Sequence, residues 1–201
     1  MARLSSLSRS IAGKVAIVTG AASGMGRATA FLFADEGARL ALWDINSDAL
    51  EVVAAEIREA GGNVLATTVD CAVQTEVEAA VALAAEHFSG LDILVNNAGL
   101  ALPTPFAGEA YDEIWRKSID IMASAQQWAV RAALPHLLRA EHPRISQHCL
   151  YRSPGRHRLQ QPLCGGQTCL YRADPRHGCG IRETWYYGER YLPRSNFNRH
   201  Y

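Results

Sequence analysis

Lysine is nearly missing from this sequence. Lys14 and Lys117 are the only two in 201 residues, and neither stands four places after a tyrosine. A tyrosine whose phenolate is stabilised by a lysine one helical turn later is therefore excluded from the chain as written. Cysteine is equally sparse at first: Cys71 stands alone in residues 1–145, which argues for a reducing, cytosolic setting for that part. No CxxC pair occurs, and the spacings of Cys164, Cys169 and Cys179 with His148, His157 or His177 match no familiar zinc finger. No apolar run approaches the roughly 20 residues that a bilayer-crossing helix needs, so the chain reads as soluble, without a membrane partner. Valine vanishes after Ile145.

That last gap marks a division. Residues 1–145 hold 11 basic and 17 acidic side chains, a balance of −6, whereas residues 146–201 hold nine Arg and three acids, a balance of +6. The net charge of zero is the sum of two unlike parts. Four of the five cysteines and six of the seven tyrosines also lie beyond Ile145. The 48% hydrophobic and 20% charged content is that of one domain able to bury a sizeable core. The opening MARLSSLSRS, acid-free with Arg and Ser, has some features of a transit peptide but lacks the apolar centre of a secretory signal, and residues 1–12 read rather as a frayed arm.

From Lys14 the pattern becomes regular. Residues 14–19, KVAIVT, form a short β-branched run suited to a strand buried on both faces. It breaks at Gly20-Ala-Ala-Ser-Gly-Met-Gly26 and resumes with helix spacing from Arg27 to Glu36, stopped by Gly37. A second strand, Arg39 to Trp43, ends in Asp44, and a helix from Ser47 to Ala60 is stopped by Gly61 and Gly62. A third strand, Val64 to Val69, ends in Asp70; a helix from Thr75 to His87 and a fourth strand, Ile93 to Val95, lead into Asn96-Asn-Ala-Gly99. Strands alternating with helices of this length imply right-handed crossovers and a parallel sheet covered on both faces.

Ligands of such sheets lie beyond the carboxyl ends of the strands, and the candidate residues sit there. Gly20 permits a tight turn, while Gly24 and Gly26 let backbone approach a pyrophosphate at the N-terminus of the next helix, where free N–H groups and the helix dipole attract anions. Read without its neighbours, the glycine turn is equally loop punctuation; its place between strand and helix is what gives it the stronger meaning. Asp44, 18 residues after Gly26, accepts hydrogen bonds from both ribose hydroxyls of an adenosine in one reading, which favours NAD over NADP. In the other it assists the start of the next helix, beside the better caps Asn46 and Ser47. Asp70 is in the same way either a partner of the adenine edge or a strand-end turn residue.

Thr19-Gly-Ala-Ala-Ser-Gly-Met-Gly26 and Asn96-Asn-Ala-Gly99 resemble the TGxxxGxG turn and the NNAG motif of the short-chain dehydrogenase/reductase family, at the interval that family shows. The resemblance spans about Gly13 to Ile145, including one long helix from Tyr111 to Leu138. It implies an α/β, Rossmann-type doubly wound parallel sheet that binds NAD over residues 13–145. It also implies that Ser23 and Met25 line the cofactor turn, that Ile45 adjoins the cofactor beside Asp44, that Asp70 and Cys71 approach the adenine, and that Asn97, Ala98 and Gly99 lie against the adenosine ribose. Where the family often has an Asn that supports a proton-relay water, this chain has Met122. The resemblance also implies a homo-oligomer, commonly a tetramer paired through helices near this point, an assembly that the unusual tail of this chain disfavours.

The resemblance further implies hydride transfer between a nicotinamide and a small alcohol or ketone, with a Tyr as general acid and base, a Lys four residues later and a Ser about 13 residues earlier. This chain supplies none of the three in that arrangement, so it has no catalytic residue to name. A one-base displacement of the reading frame after about Ile145 accounts for the gap. Reread one base later, Leu163-Cys-Gly-Gly-Gln-Thr168 can encode Tyr-Ala-Ala-Ala-Lys, in which Gln167-Thr168 forces Lys or Arg and Cys164-Gly165 forces Ala or Val while Tyr is one of several options, and Leu150 followed by Tyr151 can encode a Ser 13 positions earlier. Tyr187 to Arg194 can be reread as Thr-Val-Asn-Ala-Ile-Cys-Pro-Gly, similar to a further segment of the family. Leu150, Leu163 and Gln167 then mark the lost Ser, Tyr and Lys.

Residues 146–201 are accordingly expected to be a non-native, irregular tail, leaving the sheet incomplete and one edge exposed. Two other readings attach to the tail. The first is the metal site that the cysteine spacings disfavour. In the second, nine Arg interleaved with Tyr and Trp185 contact RNA phosphates and bases, which the displaced frame makes unnecessary. The expected partner is a small alcohol or ketone and no nucleic acid.

Overall fold

The computed structural model describes residues 10–100, 107–147, 169–173 and 181–185, the last two segments by backbone alone. Strand β1 (Val15–Thr19) leads into helix α1 (Gly24–Asp35), and β2 (Arg39–Asp44) into α2 (Ser47–Glu59). Next come β3 (Asn63–Thr68), α3 (Gln74–Phe88) and β4 (Ile93–Asn96). Helix α4 (Tyr111–Ile119) passes through a π turn (Asp120–Ser124) into α5 (Ala125–Leu137), and β5 (Arg144–Gln147) follows. The expected strands and helices are all present, with boundaries shifted by up to three residues.

Strand order explains where a ligand can sit. The five strands run β3-β2-β1-β4-β5, all parallel, with Val18 of β1 opposite both Leu42 of β2 and Val95 of β4. The chain moves outward from β1 to β3, then returns to the other side of β1 to place β4. Connections therefore part at the carboxyl ends of β1 and β4, the switch point at which open α/β sheets bind ligands.

Period-two alternation divides the core into two layers. Val15, Ile17, Ala41, Trp43, Leu94 and Ile145 pack with residues of α3 and α5. Ala16, Val18, Leu40, Leu42, Ile93 and Val95 pack with Ala30 of α1 and with Leu50, Val53, Ala54 and Ile57 of α2. Those four α2 residues recur at the three- and four-residue spacing of one helix face, and Asn46 caps the helix by accepting from Ala49 N at 3.1 Å. Both faces of β1 are thus covered, as its unbroken apolar run requires.

Two expectations are corrected. The helix from Tyr111 is not uniform: the π turn widens it, with Ala125 N donating back to Asp120 O. The tail is not irregular throughout either. Strand β6 (Cys169–Ala173) pairs antiparallel with β5, and β7 (Ile181–Trp185) pairs antiparallel with β6, extending the sheet to seven strands. The physical reason is that a ladder is made by backbone groups, so an open edge accepts a strand whatever its side chains.

A truncation at each kind of site checks the layering. Leu42→Ala, at a fully buried position, is expected to lower unfolding stability by about 2–5 kcal/mol. Leu32→Ala, at a residue 58% exposed, should stay within about 0.5 kcal/mol. Urea unfolding of both variants reads the difference; equal losses would contradict the two-layer core.

Candidate functional site

At the end of β1 the backbone turns sharply, and Gly20 takes φ +66°, a left-handed conformation that side chains rarely adopt. Gly26, in the first turn of α1, lies against this bend so closely that a Cβ there would collide with the Gly20 carbonyl and the Asn97 side chain. Helix α1 therefore begins directly over the end of β1. Its N-cap, Ser23, makes no side-chain cap hydrogen bond, and its first turn contains no acidic residue. The first-turn N–H groups are left to meet an anion.

The turn is tied to β4 from two sides. Thr19 Oγ1 accepts from Asn97 N at 3.0 Å and from Ala98 N at 2.8 Å. The Asn97 side-chain amide donates to Thr19 O at 2.9 Å and to Gly20 O at 3.2 Å. Asn97 thus holds the glycine turn in place. Thr19 is a residue that the motif contains but sequence reasoning did not single out; its signal is a hydroxyl at the last position of an otherwise apolar strand.

Asp44 ends β2 beside the same turn. Its Oδ2 accepts from Ala22 N and its Oδ1 from Asn46 N, each at 3.0 Å, so both carboxylate oxygens are fixed at the rim. Capping of α2 falls to Asn46. Met25 and Ile45 are 53% and 65% exposed, two apolar side chains turned to solvent on either side of this rim. Residues 20–26 contain no basic residue. Arg27, just beyond, is engaged by Glu56 at 2.8 Å and lies over the Phe31 ring.

Following β3, Asp70 Oδ1 accepts from Ala72 N at 2.9 Å, closing a local turn, while Asp70 N donates to Glu76 Oε2. Burial, with the charges of Asp70, Asp44 and Glu76, pushes the Cys71 thiol from an ordinary 9.0 up to about 12. It remains a neutral thiol through the physiological range.

Gly20, Ser23, Gly24, Met25, Gly26, Asp44, Ile45, Asp70, Cys71, Asn97, Ala98 and Gly99 all follow or end strands at the carboxyl end of the parallel sheet. Met122 lies in the π turn. Leu150, Leu163 and Gln167 lie outside the described residues, as do Cys164, Cys179, His148, His157 and His177. Among the described residues no group of His, Cys, Asp and Glu is arranged to hold a metal, and no helix is long and apolar enough to cross a membrane.

Sheet order, glycine turn and clamped helix terminus define a nucleotide-binding α/β protein. The family model for short chain dehydrogenases matches residues 14–148, and the chain belongs to that family. It is 40% identical over 130 residues to 2,5-dichloro-2,5-cyclohexadiene-1,4-diol dehydrogenase LinX of Sphingobium indicum, covering 65% of this chain and 52% of that protein. Its fold is similar to a short-chain dehydrogenase/reductase from Burkholderia phymatum in complex with NAD (TM-score 0.60, 32% identity, 64% of this chain and 46% of that one). It is similar again to a short chain dehydrogenase from Burkholderia cenocepacia in complex with NADP (TM-score 0.61, 35% identity, 64% and 53%). The chain spans about half the length of the curated relatives it matches.

The raised Cys71 pKa has a measurable consequence. Alkylation proceeds through the thiolate, so at pH 8 the folded chain should label at Cys71 at least about a hundredfold more slowly than the urea-unfolded chain. Because folding raises this pKa, its contribution to stability is complete below pH 9.0 and declines as pH climbs towards about 12. Mass spectrometry of the Cys71-containing peptide gives both rates; equal rates would show the thiol to be neither buried nor held protonated.

Proposed function

We propose that residues 13–145 bind NAD(H) in preference to NADP(H), and that the 201-residue chain belongs by descent to the alcohol–carbonyl oxidoreductases but turns nothing over. The observation that carries the cofactor reading is Asp44, whose carboxylate is fixed at the rim by Ala22 N and Asn46 N. A carboxylate held there accepts from ribose hydroxyls and repels a 2′-phosphate. No basic side chain in residues 20–26 offsets that repulsion, and Arg27 is already paired with Glu56.

The local geometry fits a dinucleotide. Gly20 and Gly26 pack too tightly against each other and Asn97 for any Cβ, which sets α1 directly over the end of β1, and the uncapped N-terminus of α1 presents N–H donors to a pyrophosphate. Thr19 and Asn97 keep that terminus in register with β4, so Ala98 and Gly99 flank the adenosine ribose. Asp70 and Cys71 border the adenine, Ile45 adjoins the cofactor beside Asp44, and Ser23 and Met25 line the turn that holds the pyrophosphate. Bound there, a nicotinamide supplies or takes up the hydride of an alcohol–carbonyl interconversion.

No residue of this chain moves the accompanying proton, since the Ser, Tyr and Lys arrangement is missing from the sequence. The displaced reading frame after about Ile145 explains the loss. Its support is that the family match ends at residue 148, close to where composition also changes, and that a single shift is able to encode Ser, Tyr and Lys in register.

Fluorescence titration tests the binding. NADH is expected to bind at least about tenfold more tightly than NADPH, and Asp44→Ala to narrow the gap by relieving a repulsion of about 1 kcal/mol or more. Equal affinities in the unaltered chain would overturn the preference. Turnover is tested separately on a panel of small alcohols and ketones. The chain as written should show none, and a version with the frame restored after codon 145 should show it. Brisk turnover by the 201-residue product would remove the displaced-frame reading.

A further inference from the structure

Beneath the glycine turn, two buried donors lack acceptors. Trp43 Nε1 and Asn96 Nδ2 have no hydrogen-bond partner, although Trp43 is fully buried and Asn96 is 3% exposed. Native proteins rarely bury such groups unpaired, because the hydrogen bond to water given up on folding is then not replaced. Both side chains line one cavity of about 10 Å³, the space of a single water molecule. Gln126, a buried polar residue of α5, lies on the same wall, as do Thr19, Cys71 and Ala98.

We propose that this cavity is a binding site for one structural water, which accepts from Trp43 Nε1–H and Asn96 Nδ2–H and donates to Gln126 Oε1. The chemistry selects the occupant. A water offers two lone pairs to two donors and still has hydrogens for an acceptor, whereas an apolar occupant leaves both donors unpaired. An anion is disfavoured, because Asp44, Asp70 and Glu76 surround neighbouring Cys71 with negative charge. The bridge joins β2, β4 and α5, and so ties the layer below the glycine turn to the helix that follows the π turn. It does not depend on the nucleotide reading, since every group in it belongs to the folded chain.

One competitor must be separated. Thr67 Oγ1, on the residue paired with Trp43 across β2 and β3, is also buried without a partner and could take the indole proton after a rotation.

The test is water-selective NMR on the full chain with its four tryptophans ¹⁵N-labelled, Trp43→Phe identifying the Trp43 indole signal by its loss. The expected result is a cross-peak between Trp43 Nε1–H and water with the sign of a long-lived bound molecule. It should be unchanged in Thr67→Val and lost in Gln126→Leu. Absence of the cross-peak, its survival in Gln126→Leu, or a Trp43 indole shift appearing only in Thr67→Val overturns the proposal. A crystal structure gives an independent reading: density for one water between Trp43 and Asn96 supports the site, and a dry cavity refutes it.

Discussion

The approach of Gly26 to the Gly20 carbonyl is the constraint from which the site follows. No side chain fits between them, so α1 must start over the end of β1 with its first N–H groups facing the switch point of the sheet. A turn this tight would leave its carbonyls short of partners, and the Asn97 amide supplies hydrogen bonds to two of them. Thr19 completes the arrangement by giving one oxygen to two consecutive N–H groups of the β4 loop. Sequence, backbone conformation and hydrogen bonding agree at this one place, and the positions of Asn97, Ala98 and Asp44 are tied to it.

Around that centre the charges are sorted by type. The helix end offers N–H donors without a competing acidic residue, while acceptors gather a strand away at Asp44, Asp70 and Glu76. The turn therefore suits an anion and the neighbouring rim suits hydroxyls or amines. Holding Asp44 with two backbone N–H groups fixes its orientation before any ligand arrives, so less ordering remains to be done on binding. Burial, reinforced by the same negative field, keeps Cys71 protonated, so a neutral thiol lies beside these carboxylates.

Much of this was legible because it is local. The five parallel strands, their helices and the glycine turn each announce themselves through period, β-branched runs and glycine stops within a dozen residues. Asp44 was legible as a position, since it ends a strand, but its partners are not neighbours: Ala22 is 22 residues away. Thr19 and Asn97, 78 residues apart, show the same limit, because their pairing exists only once β1 and β4 lie side by side. The Trp43–Asn96–Gln126 cavity was invisible for the same reason, being assembled from β2, β4 and α5. The π turn lacked a warning as well, since Asp120-Ile-Met-Ala-Ser124 contains neither proline nor glycine.

The tail shows what backbone and side chains each control. Beyond β5, β6 and β7 add two antiparallel ladders to a sheet whose first five strands are parallel. Ladder hydrogen bonds use groups that every residue except proline carries, so an edge strand can be extended by a sequence never selected for that place. Proton transfer has no such tolerance, since it needs one phenol, one ammonium and one hydroxyl at fixed separations. Under the displaced-frame reading the two requirements come apart within one chain: sheet pairing continues past Ile145 because it is indifferent to the frame, and the acid–base chemistry stops there because it is not.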